Sequence, residues 1–77
     1  MGELTKFIDE QVQYCTNNNF KKEETRQHMF NFLKNNNINY TLLDNSNDKF
    51  QIDEYGWEIC YNSKGICRGH KGFYFGE

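Results

Sequence analysis

The sequence predicts an α+β domain in which two N-terminal helices pack on a C-terminal three- to four-stranded antiparallel sheet, wound as a meander. Three observations carry this. Apolar residues recur at three- and four-residue steps as far as about position 35, and at two-residue steps after it. The triplets Asn17-Asn18-Asn19 and Asn35-Asn36-Asn37 stand where each helical pattern stops. Short polar and glycine-containing clusters then divide the alternating half into strand-length pieces. With 77 residues, no internal repeat and no linker, the chain is expected to form one domain over 1–77.

The first helix is expected over about residues 3–15. Leu4, Phe7, Ile8, Val12 and Cys15 make its apolar stripe, and Glu3 puts negative charge in the first turn, where the helix dipole favours it. Asparagine tolerates the left-handed backbone that closes a helix, so the first triplet ends it. The second helix is expected over about residues 21–35, capped by Asn19, with Phe20 packing back onto it. Its inner face is Thr25, Met29, Phe32 and Leu33, with Phe30 on a flank. Glu23 and Glu24 near its start and Lys34 near its end again match the dipole.

Ile38, Tyr40 and Leu42 open the two-residue period, and Asp44-Asn45-Ser46-Asn47-Asp48 reads as a turn. Phe50 and Ile52 belong to the next strand, which leads to a tight connection near residues 54–56. Trp57, Ile59 and Tyr61 line one face of a third strand. Asn62-Ser63-Lys64-Gly65 is a hairpin turn in which Gly65 can take a positive φ. A last strand, interrupted by Gly69 and Gly72, ends in Phe73-Tyr74-Phe75. Two registers are open for this hairpin. A two-residue loop sets Cys60 opposite Cys67, whereas a glycine bulge sets Tyr61 opposite Cys67 and turns Arg68 outward. The bulged register is preferred because it keeps Arg68 out of the core.

A chain of this length buries only about 60% of the surface its unfolded form exposes, so modest stability is expected. Aromatic residues are 17% of the chain, nearly half of its apolar set, so a few rings can fill a small core. Alanine and proline are absent while asparagine occurs 11 times. That bias matches AT-rich codons and points to a low-GC bacterium, its phage or another mobile element, which the base composition of the source locus tests. No apolar run approaches the roughly 20 residues of a membrane span, and the N-terminus lacks the apolar core of a signal peptide. A cytoplasmic location with no membrane partner is expected, and an odd count of three cysteines fits free thiols in a reducing compartment.

Net charge is −2, which argues against nucleic-acid binding by the whole surface. Residues 1–38 balance five positive against five negative groups. Residues 39–63 set Lys49 against Asp44, Asp48, Asp53, Glu54 and Glu58, and from Lys64 onward Lys64, Arg68 and Lys71 face only Glu77.

Catalytic and metal chemistry find little footing. Cys67 and His70 have a spacing found among zinc ligands, with Cys60 across the turn and Cys15 or His28 as distant fourth ligands, but structural zinc sites need two close pairs. Only His28 and His70 could serve as an imidazole base, and no glycine-rich strand-to-helix turn presents a nucleophile. The oxygen-rich run 44–48 begins like a calcium loop, yet Lys49 and Tyr55 stand where an EF-hand needs Gly and Glu. No metal, no cofactor and no enzymatic activity are expected.

Two binding readings remain. The leading expectation is a non-catalytic protein-binding module, such as a small phage or mobile-element protein that binds and inhibits a host protein. Its contact face would be an aromatic centre with an acidic rim: Asp53, Glu54, Tyr55, Trp57, Glu58, Tyr61 and Tyr74. A variant has the acidic residues imitate nucleic-acid phosphates, and a homodimer through the sheet edge or the aromatic face is a further form of the same reading. The runner-up is single-stranded nucleic-acid binding by the basic-aromatic segment Arg68, His70, Lys71, Phe73 and Phe75, in which bases stack on rings and cations neutralise phosphates.

Overall fold

The computed structural model describes residues 2–76. Glu77, the one acidic residue counted with the C-terminal basic zone, lies outside them. Two helices, α1 (Gly2–Asn17) and α2 (Lys22–Asn35), precede four strands: β1 (Thr41–Leu42), β2 (Lys49–Ile52), β3 (Tyr55–Tyr61) and β4 (Cys67–Tyr74). The strands form one antiparallel sheet in the order β1-β2-β3-β4, the expected meander behind two helices.

Both asparagine triplets close their helices by the same device. Asn19 takes a φ of 54°, the Phe20 amide donates to the Cys15 carbonyl at 3.0 Å, and the Asn19 amide donates to Thr16 at 3.2 Å. Asn37 repeats this with φ 55°, Ile38 to Leu33 at 2.9 Å and its own amide to Lys34 at 3.1 Å. This paired return of amides satisfies carbonyls that the last helical turn would otherwise leave open. The apolar residue after each turn, Phe20 or Ile38, folds back onto the core. Asn19 therefore ends α1 but does not cap α2, contrary to the expectation from the sequence. Lys21 occupies the N-cap position, and its amide donates to Glu24 Oε1 at 3.0 Å.

In α1, Ile8, Val12 and Cys15 are fully buried, while Phe7 is 51% exposed. At about 100° per residue Phe7 lies a quarter-turn from the centre of the buried stripe, so it belongs to its edge. The α2 inner face is Thr25, Met29 and Leu33, with Phe30 and Phe32 partly buried beside it. These residues meet Phe50 and Ile52 of β2, Trp57 and Ile59 of β3, and Cys67 of β4 in one core.

The first strand is shorter than the alternation predicts. Ile38 is consumed by the cap of α2, and only Thr41 and Leu42 pair with β2. The β2–β3 connection is the two-residue turn Asp53-Glu54, with Ile52 and Tyr55 paired across it and Asp53 at φ 53°. Gly56 thus lies within β3 rather than in the turn, and a Cβ there would sit 2.6 Å from the Phe75 ring. In the last hairpin Gly65 takes φ 78° and Tyr61 pairs with Cys67, whereas Cys60 pairs with Gly69. Arg68 is the extra, exposed residue of the bulge, as preferred. Cys60 and Cys67 consequently point to opposite faces, and all three thiols are free.

Thr25 is fully buried, and among the described residues its hydroxyl has no partner stronger than the neighbouring Cys15 thiol. The group beside it is the Cys15 thiol, a weak acceptor that burial pushes up to a pKa of about 11. Thr25→Val keeps the shape and removes the unpaired oxygen. It is expected to stabilise the fold by about 1 kcal/mol, read as a rise in the urea midpoint. A fall would show that the Thr25–Cys15 contact is worth more than the desolvation it relieves.

Candidate functional site

Strand partners share a face of the sheet, so the pairing separates the predicted site residues. Tyr55 with Tyr74, Trp57 with Gly72, Ile59 with His70 and Tyr61 with Cys67 lie on the face toward the helices. Glu58 with Lys49 and Lys71, and Gly56 with Phe73, lie on the outer face.

Of the residues expected in a protein-binding face, Glu54, Tyr55, Trp57 and Tyr74 come together at the open end of the β3–β4 hairpin, beside the β2–β3 turn. The Tyr55 and Tyr74 rings lie 5.3 Å apart, tilted by 48°. The Tyr74 hydroxyl donates to Glu54 Oε2 at 3.1 Å, which holds its proton more tightly than usual, and the Phe75 amide donates to the Glu54 carbonyl at 2.7 Å. Tyr74 is 54% exposed and Asp53 is exposed beside the same turn. Trp57 departs from the expectation of a presented ring. It is 3% exposed, stacked flat on Phe50 at 5.5 Å, and supports the site from below. Glu58 is taken to the outer face, between two lysines. Tyr61 is held at the other end of β3, where its hydroxyl donates to Asp48 at 3.1 Å and Lys22 lies over its ring at 5.4 Å.

A groove of about 310 Å³ opens between the first half of α1 and the β3–β4 pair. Thr5 and Asp9 line it from the helix, Tyr55, Trp57, His70 and Tyr74 from the sheet, and Gly72 leaves open space on its floor. Asp9 Oδ1 accepts from the Trp57 indole at 3.1 Å, and His70 Nε2 lies 3.1 Å from the same oxygen. Asp9 had no signal in the sequence, and Gly72 was legible there only as an interruption of the last strand. Asp9 reads there as one solvated carboxylate of an amphipathic helix, and only the tertiary fold brings α1 to the end of the chain.

The residues of the nucleic-acid reading divide as well. His70 faces α1 and is bonded to Asp9, and Arg68 stands on the bulge. Phe73 and Phe75 stack on the outer face with centroids 6.3 Å apart, and Lys49 lies 4.8 Å over Phe73. Lys71 is on that face too, but Glu58 sits between it and Lys49.

The acidic zone is partly neutralised. Asp44 meets Lys49 at 2.9 Å and Asp48 is clamped by Arg26, whereas Glu54 accepts from Tyr74 and Glu58 stands between Lys49 and Lys71 on the outer face. The thiols and imidazoles scatter: Cys15 and Cys67 are buried, His28 Nε2 lies 2.7 Å from Gln11 Oε1, and His70 engages Asp9. Burial lowers the His28 pKa. Among the described residues, no three His, Cys, Asp or Glu side chains are grouped as a metal site, and no helix is long and apolar enough to cross a membrane. Comparison with protein-family models, with characterised proteins and with solved structures gives no match to this chain.

Proposed function

We propose that this chain is a non-catalytic protein-binding module whose contact surface is the open end of the β3–β4 hairpin and the adjoining β2–β3 turn, around Asp53, Glu54, Tyr55 and Tyr74. The observation that carries the reading is the half-exposed Tyr74 ring, fixed by Tyr55 and Glu54 at the mouth of a groove. A rigid aromatic beside a concavity offers contact area at little entropic cost, which is what binding hot spots use. The AT-rich composition extends the proposal to a small phage or mobile-element protein that binds and inhibits a host protein in the cytoplasm. Self-association through the free edge of β4 is less favoured, because the Arg68 bulge and the charges of Arg68 and Lys71 discourage edge pairing.

Affinity capture from a low-GC bacterial lysate, with and without nuclease, tests this. The unaltered chain is expected to retain a stoichiometric protein after nuclease, and Tyr74→Ala to retain it at least tenfold less well, about 1.4 kcal/mol. Equal retention by Tyr74→Ala would end the proposal for this face.

A second reading is favoured by one observation, the stacked Phe73–Phe75 pair with Lys49 over it on an uncovered sheet face. Single-stranded nucleic acid would stack there, with Lys71 and Arg68 supplying phosphate contacts. In that case retention vanishes with nuclease, weakens steeply with salt, and responds to Phe75→Ala rather than to Tyr74→Ala.

A further inference from the structure

We infer that the groove between α1 and β3–β4 is a cation site that accepts an arginine side chain of the protein partner. The inference rests on the protein-binding reading and names the chemistry that the groove selects.

The lining decides the sign of the ligand. Neither lysine nor arginine lines the groove, and its one basic group, His70, has Nε2 bonded to Asp9. Both contacts of Asp9, the indole hydrogen bond from Trp57 and the approach of His70, are made on Oδ1. They orient the carboxylate, while Oδ2 has no partner among the described residues and the side chain is 51% exposed. At the other end Glu54 adds a second carboxylate behind Tyr74. Asp9 is the one carboxylate in the lining, and Glu54, beyond the Tyr74 hydroxyl and outside the lining, adds to the negative potential at the mouth, which favours a cation over an anion.

The rings decide its shape. Tyr55 and Tyr74 line the groove with rings tilted by 48° to one another, and a cation over an aromatic face is attracted by the ring quadrupole. A guanidinium is planar, stacks on such rings, and carries several N–H donors that can reach a carboxylate from a stacked position. An ammonium offers a point charge without the stacking plane. Gly72, with nothing within 4 Å of where a Cβ would stand, leaves room for the aliphatic stem. A volume of about 310 Å³ is at the lower end for small-molecule pockets and suits one long side chain.

The test uses the full chain, ¹⁵N-labelled, titrated at constant ionic strength with acetyl-Gly-Arg-Gly-amide and with the same peptide carrying citrulline, the neutral isostere of arginine. The arginine peptide is expected to shift the Trp57 indole N–H and the Gly72 amide saturably, and the citrulline peptide to bind at least tenfold more weakly. Asp9→Asn, which keeps the oxygen that Trp57 and His70 bond, is expected to bring the arginine peptide down to the citrulline level. Equal binding of the two peptides in the groove would overturn the cation assignment and leave the protein-binding reading standing. Absence of shifts at Trp57 and Gly72, or an arginine affinity unchanged in Asp9→Asn, would overturn it too. Partner retention by Tyr74→Ala is a separate readout, and it can sink the protein-binding reading while the peptide titration still succeeds.

Discussion

Replacing Phe50 with alanine is expected to cost about 3–5 kcal/mol, a large share of the stability of so small a domain. A chain of this length has roughly 4–12 kcal/mol to lose, on the usual scale of stability per residue. Phe50 is 1% exposed at the centre of β2 and is the largest of the fully buried side chains. Its ring stacks on Trp57 at 5.5 Å and meets the edges of Phe30 at 6.3 Å and Tyr40 at 6.5 Å. Removing it therefore opens a cavity lined by three other rings, none of which can shift without leaving its own partners. Phe30 is itself stacked on Tyr40 at 5.2 Å. The measurement is urea unfolding followed by Trp57 fluorescence, with the conservative Phe50→Leu as a graded comparison expected to lose less than about 1.5 kcal/mol. A loss below about 1 kcal/mol for the alanine variant would mean that Phe30 and Tyr40 collapse into the space, and that the core is softer than its packing indicates.

The same ring shows why the fold could be read from the sequence and the groove could not. Phe50 and Ile52 alternate with polar neighbours, and Thr25, Met29 and Leu33 recur at helical steps, so local periodicity already says which side is inward. The helix ends were legible because asparagine tolerates positive φ, which Asn19 and Asn37 adopt. Periodicity does not say which surface residues meet. Glu58 and Trp57 are neighbours in sequence and point to opposite faces, so an acidic-aromatic cluster read along the chain divides into two in space. Asp9 joins Trp57 and His70 only because α1 lies across the sheet, and no spacing in the sequence encodes that crossing. The Asp53-Glu54 turn was displaced in the prediction toward Gly56, because glycine is the ordinary turn residue. Here Gly56 serves the close approach of Phe75, and Asp53 takes the positive φ instead.

Asp48 carries the second large effect, and it is one that pH can isolate. Its carboxylate receives Arg26 Nε on Oδ1 at 2.8 Å, Arg26 Nη2 on Oδ2 at 2.9 Å, and the Tyr61 hydroxyl on Oδ1 at 3.1 Å. The side chain is 18% exposed and that of Arg26 33%, so the pair is shielded more than a surface ion pair but is not dry. The clamp joins α2 to the start of β2 and to the end of β3, and so adds a polar tie between the helix and a strand pair that the sheet ladder already holds together. Asp48→Ala leaves a half-buried guanidinium and a phenol without their acceptor, and is expected to cost about 2 kcal/mol at pH 7, given charge-assisted bonds discounted for partial exposure. Arg26, through its hydrogen bonds, holds the Asp48 carboxyl below the ordinary carboxylate range, against the opposing effect of burial. Because the folded-state pKa is depressed, the stability it contributes is fully present above the unfolded value of about 3.9 and is lost as pH falls through the folded value. Asp48→Asn removes the titrating group while keeping one acceptor oxygen for Tyr61. Urea midpoints measured for the two proteins from pH 7 to pH 2.5 are therefore expected to differ most at neutral pH. The gap should stay constant down to about pH 4 and close below it. The other carboxylates titrate in both proteins and cancel in the difference. A gap that persists unchanged at pH 2.5 would mean that Asp48 acts through shape and neutral hydrogen bonds alone, with no contribution from its charge opposite Arg26.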